Sequence, residues 1–137
     1  MIVKNIDDIE EQQILDYPYR GKKNKVGDTT IKWLTQCCDP QMPSYGLRLF
    51  TVGLKGYIPI HNHAYLQTMY ILSGRISVTS YDKNNDQVLE EKVLGPHDFV
   101  YIPSMQPHSM KNVGDEPVRF LCCIAVLDEE ELALADE

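Results

Sequence analysis

The sequence predicts an all-β domain, an antiparallel sandwich or barrel, and three observations predict it. Turn signals recur about every ten residues from Gly27 onward, at Asp39-Pro40, Gly53 to Gly56, Ser73-Gly74, Lys83 to Asp86, Gly95-Pro96, Gln106-Pro107 and Gly114-Asp115. The runs between them are rich in β-formers. No long stretch between them carries a helical period. Many short, evenly spaced strands are the pattern of a sandwich or barrel.

The expected strands are Thr29 to Gln36, Tyr45 to Val52, Thr68 to Leu72, Arg75 to Tyr81, Gln87 to Leu94, Phe99 to Ile102, His108 to Asn112 and Val118 to Leu127. Residues 29–127 are therefore read as the barrel, residues 1–28 as a lead-in and residues 128–137 as an acidic tail. In the lead-in, Ile6, Ile9, Gln13 and Ile14 fit either a helical turn or an irregular approach to the first strand. The tail has good helix formers, with acids where a helix dipole favours them.

At 137 residues the chain has the size of one ordinary domain. Apolar residues at 43% and charged residues at 24% are far from the composition of disorder. A net charge of -7 repels phosphate backbones and anionic membrane surfaces, so neither nucleic acid nor membrane is an expected partner. The one basic cluster, Arg20, Lys22, Lys23 and Lys25 around Gly21 and Gly27, reads as a solvated turn.

The N-terminus lacks the apolar stretch of a signal peptide, and no run approaches the roughly 18 apolar residues that span a bilayer. A soluble cytoplasmic protein is the expectation. The four cysteines fall as Cys37-Cys38 and Cys122-Cys123, the spacing of neither a disulfide framework nor a structural zinc site. Reduced thiols fit better.

Chemistry concentrates on the histidines, of which there are four. His61 and His63 are two apart, so on an extended backbone both imidazoles leave the same face. Gln67 follows at a spacing that lets the chain bend its amide oxygen back to the same point, or to a water held there. His108 opens a later strand after a turn with prolines on either side. Three imidazole nitrogens and one amide oxygen, all neutral, suit one divalent first-row ion such as Mn, Fe, Co, Ni, Cu or Zn, with positions left for water or substrate.

Two segments carry a family resemblance. Gly56-Tyr-Ile-Pro-Ile-His61-Asn-His63-Ala-Tyr-Leu-Gln67, continuing to Gly74, resembles the first cupin motif: a glycine, His-x-His, a fourth ligand and a second glycine. Gly95-Pro-His-Asp98, continuing through Pro103 and His108 to Asn112, resembles the second. The resemblance implies a small single-domain cupin, an antiparallel double-stranded β-helix or jelly-roll barrel. It departs from the pattern at Gln67, where glutamate or a further histidine is usual, at the inserted His97, and at Met105, where glycine is common.

Cys122 shares parity with Phe120 and Ile124. In the cupins that this chain resembles that face lines the barrel near the metal, which makes Cys122 a candidate for proton transfer; a buried core thiol is the alternative. Tyr57, Tyr65, Tyr70 and Tyr101 read as barrel packing, with one phenol, Tyr70 by choice, reaching the cavity as a proton donor. Trp33 and Arg48 fall on early strands, where the guanidinium could pair with an acid or a substrate carboxylate. A neutral donor set leaves an ion's charge uncompensated and favours a small anionic substrate. Function is therefore expected to be that of a metal-dependent oxygenase, isomerase or lyase, or of a metal-dependent ligand-binding barrel without turnover. A homodimer is expected from the open barrel edges and the unplaced apolar residues of the lead-in.

Overall fold

A computed structural model of the chain describes residues 1–36 and 41–125. The Cys37-Cys38 pair, the Asp39-Pro40 turn, the last two residues of the expected final strand and the acidic tail lie outside the described residues. A 3-10 turn at Ile6–Asp8 precedes eleven strands: β1 Gln12–Gln13, β2 Asp16–Tyr19, β3 Lys22–Lys25, β4 Gly27–Thr35, β5 Tyr45–His61, β6 Leu66–Ser73, β7 Ile76–Tyr81, β8 Val88–Leu94, β9 Phe99–Ile102, β10 His108–Asn112 and β11 Val118–Ala125. Nine of them form one antiparallel sheet in the order β8-β7-β10-β5-β11-β6-β9, with β4 on β5 and β1 on β4. The all-β barrel expected from the turn spacing is the fold observed.

Side-chain alternation fills the interior. Gln67, Met69 and Ile71 of β6 are buried while Thr68, Tyr70 and Leu72 are exposed, and on β11 Val118, Phe120, Cys122 and Ile124 point inward. Phe50 and Phe120 stack at the centre of this core, ring centroids 4.9 Å apart.

One expected break is absent. Gly53 to Gly56 reads locally as a turn, yet β5 runs unbroken through it. Before the glycines β5 pairs with β4 and β11, and beyond them, from Tyr57 to His61, it pairs with β10. The two glycines make the corner between these partners. Lys55 takes a positive φ of 62°, and a Cβ on Gly56 would come 2.8 Å from the Gly53 carbonyl oxygen. Asn112 fastens the corner, its amide donating to the carbonyls of Val52, Gly53 and Glu116. The second half of β5 is thereby aimed so that His61 faces His108 across the ladder.

The lead-in is more ordered than its sequence promises. Its β2 and β3 form a hairpin whose two turn residues, Arg20 and Gly21, both take positive φ, as the tightest hairpins require. The basic cluster lies on this turn and on the exposed edge of β3. The hairpin is tied to the barrel at both ends: Tyr19 and Arg20 bond Asp86, and the Asn24 amide donates to the carbonyl of Ile60, next to His61. No helix among the described residues is long and apolar enough to cross a membrane.

Candidate metal centre

His61 ends β5, His63 follows it after one residue, and His108 begins β10 directly opposite His61. One nitrogen from each ring lies within 4.8 Å of the other two. Each ring is held by its other nitrogen: His61 Nδ1 lies 2.8 Å from the Pro59 carbonyl, His63 Nδ1 3.0 Å from that of Tyr65, and His108 Nδ1 2.8 Å from that of Gln106. A carbonyl oxygen only accepts, so each Nδ1 must carry the proton and each Nε2 presents a lone pair. Backbone carbonyls that fix the tautomer and ring orientation in this way are a common support for metal-binding histidines.

The electrostatics keep the rings neutral. Burial lowers His61 from 6.5 to about 4 and His108 from 6.5 to about 3, against the raising effect of the carbonyl partners. Burial lowers His63 as well. His108 Nε2 is fully enclosed and has no hydrogen-bond partner. A buried acceptor left unmade is costly, and a cation shared by three such lone pairs removes that cost. The donor set and its arrangement fit a first-row divalent ion.

Gln67 comes to the same place. It is 4% exposed and lines a chamber with His61 and His63. The space left in that chamber, about 10 Å³, is that of one water or ion. Aromatic rings cover two of the histidines. Tyr65 stacks on His63 with centroids 4.0 Å apart, and Tyr17 stacks on His61 at 4.3 Å. Tyr17 sits in the N-terminal hairpin, where no sequence motif marks it as a site residue. Its phenol is pushed up to about 12, by burial first and against the pull of Arg48.

Tyr70 is not brought to the chamber. It alternates with Met69 and Ile71 on β6 and so points out of the barrel, 40% exposed, with its hydroxyl 2.9 Å from His97 Nδ1. Tyr57 and Tyr101 are exposed too. Of the four tyrosines singled out from the sequence, Tyr65 alone borders the histidines. Cys122 is fully buried, and its Sγ accepts a 2.7 Å hydrogen bond from Arg48 Nη2. Burial raises the thiol and Arg48 opposes that shift. Arg48, beside Trp33 as the strand register dictates, lines the histidine chamber.

A second cavity, about 330 Å³, opens between the unpaired edges of β8 and β9 and reaches His108 past Ser80 and Gln106. Lys92 and Glu90 stand at its mouth, 3.9 Å apart.

The Cupin domain family model matches residues 48–124, which contain all four candidate ligands. The chain belongs to the cupin family. Among solved structures, this cupin is similar to the polyketide cyclase RemF from Streptomyces resistomycificus, with a TM-score of 0.69 and 19% identity over 100% of this chain and 94% of that one. It is similar to Rru_A2000 from Rhodospirillum rubrum, a cupin-2 domain, with a TM-score of 0.65 and 21% identity over 97% and 84% of the two chains. It also resembles an oxalate decarboxylase from Lactobacillus farciminis, solved as a formate complex, with a TM-score of 0.65 and 15% identity over 93% of this chain and 35% of that one. At these identities the likeness shows the fold alone. No curated protein matches the chain significantly.

Proposed function

We propose that this cupin holds one divalent first-row ion on His61, His63 and His108, with the Gln67 amide oxygen as a fourth ligand, and acts on a small organic anion as an oxygenase, isomerase or lyase. The observation that carries the reading is the set of three Nδ1–H to carbonyl bonds, which leaves the proton off each Nε2, on three rings whose nitrogens come within 4.8 Å of one another. The ion, when bound, supplies a positive charge that no donor in the set offsets, and so polarises and holds an anionic or enolisable ligand.

The residues around it handle protons in one direction. Tyr17, which lines the chamber, sits above its ordinary value and keeps its proton near neutrality, so it can donate, whereas Cys122, raised likewise by burial, lies behind Arg48 and does not line the chamber. Among the described residues lining the histidine chamber there is no carboxylate to serve as a base. That absence favours a second reading, a barrel that binds its anion without turnover.

Metal analysis of protein purified without added metal, followed by a panel of small acids under oxygen and under argon, separates the readings. Iron, manganese or copper with oxygen uptake supports an oxygenase, and nickel or zinc with oxygen-independent conversion supports an isomerase or lyase. Tight binding of an acid without conversion supports the binding barrel. Metal-free protein that takes up none of these ions contradicts both.

A further inference from the structure

Arg48 is the most unusual charge in the molecule. It is 4% exposed, and its guanidinium lies between the rings of Phe50 and Trp33, 4.8 and 5.3 Å from their centroids. Among the described residues no carboxylate lies within ion-pair distance of it. Its Nη2 donates to a thiol, a weak acceptor, and its Nε is buried with no partner. A guanidinium keeps its charge, and burying a charge without a counter-ion is costly. The two rings offset part of that cost through cation–π attraction.

The placement of Arg48 explains why the cost is borne. Together with Tyr17 and Tyr65 it lines both the small histidine chamber and an adjoining groove of about 590 Å³ under the N-terminal segment. That groove is apolar along most of its length, lined by Ile14, Leu15, Ile31, Trp33 and Ile124, with Asp16 exposed at its rim. The chamber has no room for an organic ligand, whereas the groove has a volume ordinary for one. The cavity on the β8–β9 side offers no comparable anchor, because Lys92 faces Glu90 and the Gln106 amide is taken up by the Tyr81 and Pro107 carbonyls.

We infer that Arg48 is the anion-binding residue of this cupin, and that its ligand is a carboxylate with an apolar body: the carboxylate meets the guanidinium beside the histidines and the body lies in the groove between the N-terminal segment and β4. This rests on the proposed metal site for the ligand's reacting end, but the anchor itself does not need the metal. Arg48 Nε and Nη2 are two donors on one edge of a planar fork, the arrangement that grips a carboxylate with both oxygens. In the structure Nη2 is met by the buried Cys122 thiol, so gripping a carboxylate with this edge requires the guanidinium to turn from that weak acceptor toward the groove. A diacid as small as oxalate would leave the groove empty.

Calorimetry with phenylpyruvate, pyruvate, benzoate and benzyl alcohol tests this, on protein loaded with metal and on protein stripped by chelator. Wild type should bind phenylpyruvate more tightly than pyruvate, and stripped wild type should bind benzoate about 10- to 100-fold more tightly than benzyl alcohol, the range expected of hydrogen bonds to a charged group. Arg48→Met should lose that preference while its metal content stays that of wild type, and Arg48→Lys should fall between. Equal affinity of stripped wild type for benzoate and benzyl alcohol overturns the inference, and it can be read even if Arg48→Met does not fold. So does a Lys92→Ala variant that loses phenylpyruvate while Arg48→Met keeps it, since the ligand would then lie on the other side of the barrel. Failure of the metal proposal looks different: no ion binds, and benzoate binding still depends on Arg48.

Discussion

Tyr17 lies flat on His61, the ring planes 15° from parallel and the centroids 4.3 Å apart. A hairpin outside the two histidine-bearing motifs thus covers one wall of the metal centre. Aromatic pairs contribute about 0.5–1.5 kcal/mol beyond the area they bury. Tyr17→Ala should therefore leave the metal stoichiometry intact but speed removal of the ion by a chelator about tenfold, a change of that size in free energy. Stopped-flow chelation measures it. An unchanged release rate would mean that the hairpin merely packs on the barrel.

Gln67→Glu tests the neutral donor set. The side chains have nearly the same reach, but the glutamate adds a negative charge beside the proposed ion. Metal should bind more tightly, and pyruvate or oxalate titrated into the loaded protein should bind more weakly than to wild type. Equal anion affinity with equal pH dependence would place Gln67 away from the metal.

Acid should destabilise the metal-free protein before its carboxylates titrate. His61 and His108 are held at about 4 and about 3, while the unfolded chain takes up those protons near 6.5. Between these limits the unfolded state binds more protons than the folded one, so stability falls as pH drops below about 6.5 and is flat with respect to these groups above it. Urea midpoints at pH 8, 7, 6 and 5 should show that shape, and His108→Ala should show a shallower slope from pH 6.5 to 5. A midpoint that does not move between pH 7 and 5 would contradict it.

A dimer is predicted by what the barrel leaves uncovered. Strand β8 is an unpaired edge carrying Val88, Leu89 and Val93 at 50–60% exposure, and β9, the other edge, carries Phe99 at 68%. Apolar edges of this kind invite pairing. Light scattering at micromolar concentration should give about twice the 15.7 kDa of one chain. A mass of 15.7 kDa would show that the edges stay bare.

Features written in local alternation and spacing were legible before the fold was known. Inward-facing Phe120, Cys122 and Ile124 follow from strand parity, and His61, His63 and His108 from their spacing and the cupin resemblance. Parity also argues against Tyr70: with Gln67 inward, a residue three places on must face out, as it does. Other features depend on contacts distant in sequence. Gly53 and Gly56 carry a turn signal, and only the pairing of the flanking segments, with β11 up to Val52 and with β10 from Tyr57, makes them a corner within one strand. The contact of Tyr17 with His61 leaves no local pattern at all, because a four-residue strand is too short to show a period. Arg48 falls on the strand expected of it, but that no carboxylate among the described residues pairs with it is a fact of the packed interior.

The three histidines are proposed to hold one ion together. Metal content per chain, measured by mass spectrometry after loading and desalting, tests this most directly in wild type, His61→Ala and His108→Ala, with circular dichroism showing that each variant keeps its β structure. One ion per chain in wild type and none in either folded variant is the predicted result. The same stoichiometry in all three, or no ion in wild type, would contradict it.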